Sequence, residues 1–277
     1  VKGLGGPWTT KKLAKVREYL VAYQNVMLNN SWARTVYIDA FSGSGAVMLR
    51  GATAPTDGSA LQAIGLSRPF SEYHLIDKAK PLARLRKQVE ERYHDRLERV
   101  RTHVGDVNEV LPVLLRSLTS KHRAVAFIDP YGMQLDWTTL QSIAACPKVD
   151  LWLLVPTGIG LQRVATKNRA NMPSAWQKRV DRFLGDSSWR EAWYAPSRQT
   201  KLFGDPPDTI KTATLETIDR DVQSRLRRIF PKGGVAENVL HLRDGTRVLY
   251  SLMFACSNPS PKAQAASMRI ANALLKE

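Results

Sequence analysis

The stretch "FIDPYG", Phe127 to Gly132, puts a carboxylate, a proline, an aromatic ring and a glycine directly after a short apolar run. These residue types suit work on an aromatic amine. Such an amine is a poor nucleophile because its lone pair is delocalised into the ring. The Asp129 carboxylate and the Pro130 carbonyl can accept hydrogen bonds from its two protons, favouring the geometry in which the lone pair points outward. That help grows as positive charge develops on nitrogen, so it acts on the transition state rather than on the bound base. Pro130 fixes the turn, Tyr131 offers a face for stacking, and Gly132 leaves room for close approach.

A second set of residues lies upstream. In "VYIDAFSGSG", Val36 to Gly45, Asp39 and Phe41 precede Gly43 and Gly45, two positions where backbone can approach a ligand closely. A dinucleotide fingerprint needs a third glycine at position 48, where Met48 stands. The same pattern resembles the D-x-F-x-G-x-G of S-adenosyl-L-methionine enzymes. Asp77 ends the next apolar run, where a carboxylate can take ribose hydroxyls. Asp106, with Val107 beside it, follows the third and can accept from an adenine amine. Taken singly, such acids are more often helix caps. A nicotinamide oxidoreductase is disfavoured by Met48 and by the charge. "FIDPYG" itself resembles the D-P-P-Y and D-P-F-G of base-amine methyltransferases. Its tyrosine comes one place early for the first, so the tRNA guanine-N2 pattern is the nearer match.

The elements that must position these residues follow from periodicity. Short apolar strands over 35–40, 73–77, 100–103, 124–129 and 150–155 alternate with helical stretches. A helix runs over 8–29, capped by Thr9 or Thr10, others lie near 58–66, 81–94 and 137–145, and one follows "GDVNEV" and ends near 118. The alternation predicts an α/β chain with a parallel, doubly wound sheet, which gathers the strand-end motifs on one rim. The loop over about 46–57 is expected beside the cofactor, as a lid or a substrate-positioning element. From 156 to 235 the alternation stops in favour of a polar, mostly helical insertion. An antiparallel hairpin and a last helix then complete the core. The expected organisation is a Rossmann-like core over 1–155, a basic insertion over 156–235, and a closing unit over 236–277.

Composition narrows the partners. The 277 residues carry 41 Lys and Arg against 25 Asp and Glu, a formal charge of +16 that fits a polyanion such as RNA or DNA. Between Gln162 and Lys201 nine basic residues face three acids, interleaved with Trp176, Trp189, Trp193 and Tyr194. That mix suits a nucleic-acid strand, although the tryptophans are more readily core residues of a helical subdomain. Arg163, Lys167 and Arg169, just past the rim, are the candidate substrate contacts. Cys146 and Cys256 sit in apolar surroundings and read as reduced, packed thiols. No HExxH, CxxC or zinc-like Cys/His spacing occurs, so no metal centre is expected. No long apolar run or leader pattern is present, which points to a cytoplasmic protein; the chain opens on Val1, so a few preceding residues are expected to be missing.

In order along the chain, "PWTTKKLAKVREYLVAY", "YIDAFSGSG", "FIDPYG", "LWLLVPTGIGLQR", "FLGDSSW" and "LMFACSNP" resemble the bacterial three-Cys-motif partner proteins, the TcmP family. The resemblance implies a class I, S-adenosylmethionine-type fold and a neighbouring three-Cys-motif protein of radical-SAM type, to which the cysteines belong. The first functional expectation is methyl transfer to a base amine, RNA slightly before DNA. The second is a binding or scaffold protein that keeps the fold and presents nucleic acid to that partner.

Overall fold

The computed structural model describes residues 5–197 and 209–276. The first helix, α1 (Pro7–Met27), leads into β1 (Arg34–Ala40) and a short helix, α2 (Ser59–Ile64). Then follow β2 (Glu72–Asp77), α3 (Ala79–Arg92), β3 (Val100–Val104), α4 (Val107–Ser117), β4 (His122–Ile128), α5 (Trp137–Ala145) and β5 (Val149–Val155). These strands form one sheet with β6 (Leu240–Asp244) and β7 (Arg247–Cys256), in the order 3-2-1-4-5-7-6. Neighbours pair in parallel except at β7, which is antiparallel to both β5 and β6. The expected α/β class is borne out, down to the terminal antiparallel hairpin of the class I methyltransferase arrangement.

The central strands are buried on both faces, so they are mostly apolar rather than alternating. One face, carrying Tyr37, Leu75, Phe127 and Trp152, packs under α1, α2, α3 and the last helix, α9 (Pro261–Leu275). The other, carrying Ile38, Ile76, Ile128 and Leu153, packs under α4, α5 and the segment between β5 and β6. That segment holds a π-helical turn (Thr157–Gln162), α6 (Ser174–Leu184), α7 (Trp189–Trp193) and α8 (Leu215–Ile229). Trp189 and Trp193 are fully buried, and their indole N–H groups donate to Asp181 at 2.8 Å and Asp221 at 3.0 Å. They are core residues, whereas Trp176 is 40% exposed. Arg198 and Lys201, counted in the basic stretch, lie outside the described residues. No helix among the described residues is long and apolar enough to cross a membrane.

The start of α1 differs from expectation. Pro7 opens the helix after Gly6, with no side-chain cap, while Thr9 is buried within the helix. Proline suits the first helical position because its missing N–H has no partner there anyway. The register of α1 is set by Tyr19, whose hydroxyl donates to the buried Asp150 of β5 at 2.6 Å. This bond decides which side chains of α1 face the rim.

Candidate active site

The carboxyl ends of β1, β2 and β4 bring the upstream acids and "DPYG" to one rim. At the end of β1, Asp39 is fully buried and accepts from the Tyr37 hydroxyl at 3.0 Å. Its second oxygen, Oδ1, is buried with no hydrogen-bond partner. A buried acceptor left open this way is costly unless something else fills it. Burial pushes the carboxyl up to about 7, against the lowering effect of the nearby Ser59 and Tyr37 hydroxyls; the charge of Asp129 raises it further and that of Lys12 opposes it.

This shift has a testable sign. Native Asp39 keeps its proton up to about pH 7, whereas an unfolded aspartate loses it near pH ~4. The native state therefore binds more protons across that window, and its stability falls as pH rises through it. Urea unfolding of wild type and Asp39→Asn across this range is expected to show a shallower decline in the variant. An identical decline would remove Asp39 from this account.

The loop after β1 is held tightly. The N–H groups of Phe41 and Ser42 both donate to the Ile76 carbonyl, at 3.0 and 3.1 Å. Phe41 adopts φ +76°, a strained conformation for an aromatic residue, with its ring against the core. The Gly43 N–H donates to Asp77 Oδ2 at 2.7 Å, and the Lys78 N–H to Asp77 Oδ1 at 2.6 Å. Asp77 is thus the post around which the loop turns, and each of its oxygens keeps a lone pair for a further donor.

The two glycines have different reasons to exist. Gly43, at φ +65°, has open space where a side chain would stand, as expected where a ligand approaches. Gly45, at φ +85°, would drive a Cβ to 2.7 Å from Leu85 Cδ1 and 3.0 Å from Leu61 Cδ1, so it serves the packing of α2 and α3. Gly43→Ala is expected to lose about 1–2 kcal/mol of stability through backbone strain alone. Gly45→Ala adds overpacking, for a total of about 2–5 kcal/mol. Thermal melts check the order, and equal losses would contradict it.

The segment over 46–57 carries a two-residue ladder, Ala46–Val47 against Thr56–Asp57, and is anchored rather than free. The Arg50 N–H donates to the Gly5 carbonyl at 2.7 Å and the Gly58 N–H to the Gly45 carbonyl at 2.7 Å.

Asp106 differs from the other acids in exposure, while the Gly105 N–H before it donates to the Asp77 carbonyl at 3.2 Å and keeps it at the same rim. It is exposed and caps α4, accepting from the Asn108 N–H at 2.8 Å. Val107 behind it is buried in the core. Asn108 was not singled out, yet its side chain ties α4 to the loop after β4. It donates to the Gln134 carbonyl and accepts from the Asp136 N–H and the Thr139 hydroxyl, each at 2.9 Å.

At the end of β4 the structure adds two residues that sequence reasoning missed. Lys12 of α1 is buried and forms an ion pair with Asp129 Oδ2. Its ammonium also lies 5.8 Å from the centre of the Phe127 ring. The sequence held a signal: Lys12 interrupts the buried stripe of Thr9, Leu13, Val16 and Tyr19. The second is Tyr250 of β7. Its neighbour Ser251 pairs with Val155, the last residue of β5, which puts Tyr250 just past the rim. Burial, then the charges of Asp129 and Tyr131, push its hydroxyl up to about 12.

Pro130 is buried, Tyr131 is 79% exposed, and Gly132 has φ +67° with open space where a Cβ would stand. The rim therefore offers a fixed carboxylate, an exposed ring and an open approach. Past β5, Arg163 and Lys167 are exposed and Arg169 is partly covered. A hollow of about 480 Å³ lined by Arg86, Arg101, Thr102 and His103 lies elsewhere, at the β3 edge two strands beyond β1.

No family model matches the chain, and no curated protein matches it. Solved structures do. A Legionella pneumophila protein is similar over 94% of this chain and 91% of its own, at 13% identity and TM-score 0.48. An S-adenosylmethionine-dependent methyltransferase from Clostridium acetobutylicum is similar over 86% and 91%, at 7% identity and TM-score 0.40. EvdMO1 is similar over 86% of this chain, at 13% identity and TM-score 0.38; the chain spans 40% of its length.

Proposed function

We propose that the protein is an S-adenosylmethionine-dependent methyltransferase acting on an exocyclic amine of a nucleobase in nucleic acid, RNA before DNA. The observation that carries the reading is the pairing, on one rim, of a fixed carboxylate in "DPYG" with an acid-lined glycine loop. The donor set fits the cofactor. Asp39 Oδ1 is a buried oxygen without a partner, and an ammonium placed there would favour the carboxylate and donate to it. Asp77 retains acceptor capacity for ribose hydroxyls, and Gly43 leaves its approach clear. Asp106 keeps one oxygen beyond its capping bond for an adenine amine. Phe41 and Val107 shape the loops that carry these acids.

Bound there, S-adenosylmethionine supplies an electrophilic methyl group on a sulfonium. The chain's own part is orientation and charge. Lys12 holds Asp129 by Oδ2, so Oδ1 is presented to the target amine at a set angle. The amine N–H groups donate to that oxygen and to the Pro130 carbonyl, and the bond to Oδ1 strengthens as nitrogen becomes positive; once the methyl group has passed from sulfur to nitrogen, the surplus proton leaves along that bond to the partly exposed Asp129 and on to solvent. Tyr131 stacks the base and Gly132 admits it. Tyr250 walls the other side. For a base in a duplex, the target must leave the stack first, with Arg163, Lys167 and Arg169 on the backbone.

The order of motifs that resembles TcmP supports a three-Cys-motif partner of radical-SAM type. A scaffold that only presents nucleic acid to that partner is the second reading; the shortened "DPYG" favours it, and the intact acids and glycine loop oppose it. Incubation with cofactor and RNA or DNA, then nucleoside analysis, tests the first. One added methyl on a base amine supports it; methyl on ribose or on a ring carbon contradicts it.

A further inference from the structure

The end of the sheet opposite the rim is also built for a polyanion. Arg34, Glu72, Val100, His122 and Val149 are the first residues of the five parallel strands and mark this edge. Glu72 is spent locally, with Arg34 at 2.8 Å and His122 at 3.5 Å. Around it Arg68, Arg99, Arg101 and Lys121 are exposed and Lys148 is half-buried, against Glu98 and Asp95 as the nearby acids in sequence.

In this basic field stands Trp32, 52% exposed. The Arg123 guanidinium lies 4.6 Å over its ring. Arg123 is itself fixed, donating to the carbonyls of Ser120 at 2.8 Å and His122 at 2.7 Å. A clamped indole with free surface, with Arg123 on its ring and further cations along the same edge, is the arrangement that binds a single strand: phosphates on the cations and an unpaired base on the ring. A duplex would satisfy the charges but leave the indole unused.

We propose that this edge, centred on Trp32, is a second contact for single-stranded nucleic acid, separate from the rim that holds Asp129. It rests on the nucleic-acid reading above and deepens it: the strand that delivers a base to the rim is gripped at both ends of the sheet.

The test is titration of a labelled single-stranded RNA oligonucleotide into the full chain, by anisotropy over a range of salt, with circular dichroism confirming each variant's fold. Trp32→Ala is expected to weaken binding about tenfold and Trp32→Phe by much less. Lys121→Glu, a fully surface change, is expected to lower the slope of log affinity against log salt by about one. If these variants bind as wild type does while Arg163→Glu binds less, the second contact is overturned and the rim reading stands. If wild type binds no oligonucleotide, the nucleic-acid reading itself fails and takes this one with it. Binding of anionic phospholipid vesicles through Trp32, with RNA affinity unchanged, would also overturn it.

Discussion

Replacing Asp129 by asparagine is expected to lower methyl transfer about 10²–10³-fold, with cofactor affinity little changed. Asparagine keeps the shape and one carbonyl oxygen but loses the charge, and the charge is what answers the positive nitrogen of the transition state. The same change has a structural side, because Lys12 is only 10% exposed and loses its counter-charge. Outright removal of one partner from a buried pair costs about 3–5 kcal/mol, whereas replacing both by apolar groups is often neutral. The double variant Lys12→Met with Asp129→Asn should therefore recover melting temperature without recovering rate. Recovery of both would make Asp129 a structural residue.

The second large effect is on cofactor affinity. Asp77→Ala removes the proposed acceptor for the ribose and releases the Gly43 N–H, bonded to it at 2.7 Å, so the glycine loop loses its post. Hydrogen bonds to a charged group contribute about 1.5–3 kcal/mol each, so losing even one such contact weakens binding by roughly tenfold to a hundredfold. Calorimetric titration with S-adenosylmethionine checks this. Asp77→Asn should fall between, since its amide oxygen still accepts one bond. Unchanged affinity in Asp77→Ala would move the cofactor off this rim.

The central strands were legible in the sequence because they are buried on both faces, where mostly apolar runs survive and only satisfied acids such as Asp150 interrupt them. Trp137–Ala145 matched its expected bounds to the residue. The start of α1 was misread because Thr9 looks like a cap, when its helical spacing to Lys12, Leu13 and Val16 puts it in the buried stripe. The glycine loop was recognisable, but not that Gly45 answers to Leu61 and Leu85: that constraint comes from helices packed across the loop. Lys12 and Asp129 are separated by 117 positions, so no local pattern couples them. Only a charge standing in an apolar stripe hinted at a partner. Asp106 shows the opposite limit, since the sequence does not tell that one of its oxygens caps α4 and the other is left over.

The most direct measurement is transfer of tritium from methyl-labelled S-adenosylmethionine into total RNA and genomic DNA. It is run with the wild-type chain and with Asp129→Asn, with and without the proposed three-Cys-motif partner. Label in nucleic acid with wild type, reduced at least a hundredfold in Asp129→Asn, is the predicted result. No label under any of these conditions, or equal label with both chains, would contradict it.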